Sequence, residues 1–65
     1  MTKKQYVKDK IQSHVEEIWS MEIVIAFNQG LDTDEGRKEM EKAKYRIDTL
    51  ELQIKFLEKY LKTIK

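Results

Sequence analysis

Apolar residues return every three or four positions along most of this chain, the period of an α-helix that buries one face. In the second half the run is unbroken: Met40, Ala43, Ile47, Leu50, Ile54, Leu57, Leu61 and Ile64 alternate in steps of three and four. These are the a and d positions of a heptad repeat, written abcdefg. The first half fits the same frame through Lys4, Val7, Ile11, His14, Ile18, Met21, Ile25 and Asn28. The pattern stops only across Asn28 to Gly36, "NQGLDTDEG". There Gly30 offers a left-handed helix stop, with Leu31 folding back onto Ile25 or Ala26. Asp32 with Glu35, or Thr33 by itself, offers a cap for a following helix. Thr2 and Gln5 have the spacing of a capping box at the first helix start. The pattern predicts a helix over about 3–29, a turn at 30–32 and a helix over about 33–64, forming one helical-hairpin domain over residues 1–65.

A tight turn makes the two helices antiparallel, so facing residues should have numbers of nearly constant sum. Val7 then meets Leu57, Ile11 meets Ile54, His14 meets Leu50, Ile18 meets Ile47, Met21 meets Ala43, Ile25 meets Met40 and Asn28 meets Gly36. The fold class is all-α, an antiparallel helical hairpin. Composition agrees, because Pro is absent, Gly occurs twice and 38% of residues are charged, a profile of long helices.

Size adds a further expectation. A domain of 65 residues has a marginal core when alone, and such folds recruit disulfides, a metal or a second subunit. There is no Cys, and His14 is the single histidine. No metal and no cofactor are expected, and oligomerisation is left. The apolar surplus points the same way. Trp19, Ile23, Val24 and Phe27 lie off the a/d stripe of the first helix, and are read as the dimer interface. Tyr45, Leu52 and Phe56, with Tyr60 at their flank, form a second row on the other helix and are read as a partner-binding face. The expectation is a homodimer, two hairpins making a four-helix bundle, with one row left for a protein partner.

Candidate chemistry is sparse. His14 occupies a core-facing d position with no second ligand or nucleophile, and reads as a packed residue. Ser13 and Ser20 sit in no strained turn or triad, and two helices offer little concavity for a substrate, so the chain reads as non-enzymatic. Glu22 reads as an interface-edge carboxylate facing Lys44 or Arg46. Asp48 raises one alternative. Small helical hairpins that dephosphorylate response regulators carry Ser-Gln-Glu-Leu-Asp on their second helix, and "YRIDTL" is similar only in its apolar-Asp pair, Ile47 and Asp48. That likeness implies a carboxylate-dependent phosphatase as an alternative function.

Charge placement says more than the net charge of +1. Antiparallel pairing gathers the lysines of both termini at one end. Those near the end of the second helix complement its dipole, but Lys3 and Lys4 at a helix start do not. Lys4, Lys8, Lys59 and Lys62 are accordingly candidate anion contacts, for phosphate or an acidic protein. The longest uncharged run, Ile23 to Leu31, is too short to span a bilayer. With no Cys, the chain is expected to be soluble and cytoplasmic.

The hairpin length, the opening "MTK" and the turn "LDTDEG" resemble the Rop family of plasmid copy-control RNA-binding proteins. That resemblance implies a dimeric four-helix bundle, and a nucleic-acid-binding function as an alternative. Rop proteins contact RNA through polar and aromatic residues of the exposed first-helix face. Here that stretch carries Glu16, Glu17 and Phe27, so the resemblance transfers architecture and no site residue. The function expected from the residues is that of a small non-enzymatic regulatory or inhibitor protein, binding a protein partner through its helical surface.

Overall fold

The computed structural model describes residues 2–64. Helix α1 runs Lys3–Leu31 and helix α2 runs Asp34–Thr63, packed side by side as a hairpin. The joined object is a thin slab of 50 × 17 × 11 Å between Cα extremes. Both helices begin as the sequence suggests. The Gln5 amide donates to Thr2 Oγ1 at 3.1 Å, and the Gly36 amide donates to Thr33 Oγ1 at 2.9 Å. Each hydroxyl satisfies a backbone donor that the helix itself cannot. The reciprocal half of the first capping box is replaced, since Gln5 Nε2 donates forward to Asp9 Oδ1 at 2.9 Å.

The turn differs from its sequence reading. Gly30 is helical and α1 continues through Leu31, so no left-handed glycine and no folded-back Leu31 ends the helix. The left-handed residue is Asp32, at φ 49° and ψ 48°. Aspartate is among the few side chains that tolerate this region. Thr33, in extended conformation, then caps α2 at once. The other glycine has the structural duty. A Cβ on Gly36 would lie 3.0 Å from Thr33 Oγ1 and 3.3 Å from the Asn28 carbonyl oxygen. The missing Cβ eases the close approach of α2 to α1 at the turn.

The antiparallel register is visible at three levels. Asn28 abuts Gly36 near the turn, Glu17 is paired with Arg46 in the middle, and Val7 and Leu57 line one groove near the termini. Between them the predicted a and d residues are buried or half-buried. Yet only Val7, Ala43 and Leu50 are fully buried apolar residues among those described. Two helices in contact can shield one line of side chains, and the outer faces stay in water. No helix of the described residues is long and apolar enough to cross a membrane.

Candidate functional site

The candidate sites are surfaces, and helical geometry decides which residues share one. On α1, Trp19, Ile23 and Phe27 are 55%, 70% and 68% exposed. They cross the outer face diagonally, Trp19 toward one flank of the hairpin, Ile23 midway and Phe27 toward the other. Val24 is half-buried beside Phe27. The four residues read as a dimer interface therefore wrap around the helix instead of facing one way.

The row on α2 is more coherent. Tyr45, Leu52 and Phe56 are 76%, 56% and 66% exposed. Tyr45 and Leu52, seven residues apart, lie on the midline facing away from α1, while Phe56 turns toward the flank that carries Tyr60. Beneath this row the Thr49 hydroxyl donates to the Tyr45 carbonyl at 3.1 Å. Large apolar side chains held outward on a regular helix form a preorganised surface.

The lysines occupy the end that holds the termini. Lys4, Lys8, Lys59 and Lys62 are all exposed, and none belongs to an ion pair among the described residues. At the turn, Arg37 reaches Asp32 at 3.4 Å and Asp34 at 3.2 Å, while Lys10 lies over the Tyr6 ring at 5.7 Å. Arg46 pairs with Glu17 at 2.9 Å, which takes it away from Glu22, the carboxylate matched to it on sequence grounds. Both partners are partly exposed, so the pair contributes at most about 1 kcal/mol and serves chiefly to mark one flank.

One feature has no counterpart in the sequence reading. Thr2, Lys3, Tyr6, Val7, Leu57 and Tyr60 line an open, mostly apolar groove of about 580 Å³ at the terminal end. A shallower one adjoins it, lined by Tyr6, Lys10, His14, Gln53 and Leu57. His14 is thus half-buried at the groove edge and not sealed against Leu50. The signal for the groove was the spacing of Tyr6 and Tyr60, each one step off the a/d seam at facing levels. Among the described residues no cluster of three His, Cys, Asp or Glu could hold a metal ion. Comparison with protein-family models, curated proteins and solved structures finds no match.

Proposed function

We propose that the protein is a small non-enzymatic regulator or inhibitor that binds a protein partner through its helical surface, as a homodimer whose hairpins pair into a four-helix bundle. The observation that carries this reading is the outward row Tyr45, Leu52 and Phe56 on α2. Apolar side chains of that size, aligned on the face that α1 cannot reach, match the anchors that dominate helical protein interfaces. Dimerisation is supported by the scarcity of fully buried apolar residues in one hairpin. The expected site of action is the cytoplasm.

The test begins with mass and melting. A dimer should have a melting temperature that rises with protein concentration. Captured proteins should then be titrated individually against the purified dimer. Tyr45→Ala combined with Leu52→Ala should weaken the true partner by roughly thirtyfold, the effect of losing about 2 kcal/mol at an interface anchor. Helicity and dimer mass should not change. Neutralising Lys4, Lys8, Lys59 and Lys62 with glutamine should alter that affinity little. If the lysine variant abolishes function and the apolar variant does not, and nucleic-acid binding falls steeply with salt, the nucleic-acid alternative replaces this reading.

A further inference from the structure

The two grooves at the terminal end form one slot between the helices, since Tyr6 and Leu57 line both. Their chemistry differs. In the larger, of about 580 Å³, Val7 is buried and Leu57 half-buried, while Tyr6 and Tyr60 are 54% and 50% exposed. The aliphatic pair makes the floor and the two rings stand at the sides. The shallower part, of about 380 Å³, adds Lys10, His14 and Gln53, each of which carries an N–H donor. Lys10 Nζ lies 5.7 Å from the centre of the Tyr6 ring, a distance at which the ring face attracts a cation. That contact holds the ammonium beside the junction of the two parts.

Charge and shape together limit what fits. Among the described residues no carboxylate lines either part, and Lys10 belongs to no ion pair. Asp9 lines a separate hollow with Ser13 and accepts from Gln5 Nε2 at 2.9 Å. The polar end is therefore complementary to an anion, which would gain charge-assisted hydrogen bonds there. Along α1 the slot runs from Thr2 to His14, roughly 18 Å at 1.5 Å per residue. A cleft that is long, confined between two helices and floored by Val and Leu suits a flexible aliphatic chain better than a broad ring system. Its larger part falls within the range of about 300–1,000 Å³ common for small-molecule sites.

We propose that this slot binds a medium-chain aliphatic carboxylate, its chain lying over Val7 and Leu57 between the rings of Tyr6 and Tyr60, and its head at Lys10, His14 and Gln53. The opposite orientation is poorer. Lys3 at the other mouth is a single ammonium whose neighbour Thr2 already engages the Gln5 amide through Oγ1 at 3.1 Å. The site is independent of the surfaces assigned above, because neither Tyr45, Leu52 and Phe56 nor Trp19, Ile23, Val24 and Phe27 line the slot.

Dodecanoate, titrated below its micelle concentration into the full chain, is the direct probe. Amide NMR signals of Val7, Lys10 and Leu57 should shift saturably with a dissociation constant below roughly 1 mM, a level that ordinary ligand efficiency reaches for a molecule of this size. Dodecyltrimethylammonium, with the same chain and a cationic head, should bind at least roughly tenfold more weakly. Lys10→Gln should weaken dodecanoate roughly tenfold and Lys62→Gln less than about twofold, with helicity retained in both. Equal losses in the two variants, or equal affinity for the cationic amphiphile, would reduce the effect to diffuse attraction and greasy contact and overturn the site. So would shifts largest at Trp19 to Phe27, or none at all. Acyl chains are also met in membranes, so vesicles of phosphatidylcholine and phosphatidylglycerol form a second arm. The protein should stay in the supernatant; sedimentation with vesicles, together with amides unmoved by dodecanoate, would replace the free carboxylate by a lipid surface. Each of these failures leaves the partner row and the dimer reading standing.

Discussion

The two ends of the hairpin are built on opposite plans. At the turn several backbone groups are met locally: Asp32 reverses the chain, Thr33 caps α2, Asn28 Nδ2 donates to the Val24 carbonyl at 2.8 Å, and Gly36 lets the helices approach closely. At the terminal end Thr2 caps α1, the Ile64 amide donates to the Leu61 carbonyl at 3.3 Å where α2 closes, and Val7 and Leu57 face one another across an open groove between the two chain ends. The turn end is acidic and closed, the other basic and grooved. Sequence-local chemistry can finish one end of a two-helix fold, while the other depends on apolar contact between distant residues.

The sharpest way to break this contrast is Val7→Asp. Val7 is 4% exposed, and an unpaired carboxylate there should cost at least about 3 kcal/mol. In a fold this small that is enough to unfold most molecules, measurable as lost helicity by circular dichroism. Gly36→Ala attacks the closed end. Alanine favours helices, yet its Cβ meets backbone and cap oxygens that cannot withdraw freely, so a loss of about 1–2 kcal/mol is expected in urea melts at fixed protein concentration. Third comes a pair of identical substitutions. Thr33→Ala should cost about 1 kcal/mol and Thr2→Ala less than half as much, because a cap at a fraying chain end supports only its own first turn. Smallest is a gain. Gly30 is helical with open space around its Cα, so Gly30→Ala should raise stability by about 0.5–1 kcal/mol. A loss there would mean that the glycine serves the turn after all.

What could be read in advance follows from where the information lies. The a/d spacing from Met40 to Ile64 specified α2 and its buried face, and the constant sum of facing numbers specified the register, because helical periodicity converts sequence into geometry directly. The turn was located but its residues were exchanged in role. Gly30 looked like the left-handed stop, and Asp32 took that place because Thr33 could start the next helix immediately after it. Spacing placed Gly36 opposite Asn28 but not the need for a glycine there, which arises from how closely α2 approaches the Asn28 carbonyl. The apolar surplus was visible as composition, but the division into flanks was not. It required the Glu17–Arg46 contact to show which side of α1 shares a face with which side of α2. The terminal groove joins residues more than fifty positions apart, and only the assembled hairpin brings Tyr6 beside Tyr60.

Trp19 is the chain's single tryptophan, and it stands on the outer face of α1 half in water. Its fluorescence consequently belongs to the surface and not to the seam between the helices. Emission from the hairpin should already be red-shifted and accessible to aqueous quenchers, so heating or urea will change it little while circular dichroism records complete loss of helix. A blue shift or protection from iodide would instead announce that another molecule has covered that part of α1. The protein carries a built-in optical probe that is nearly blind to folding and sensitive to company.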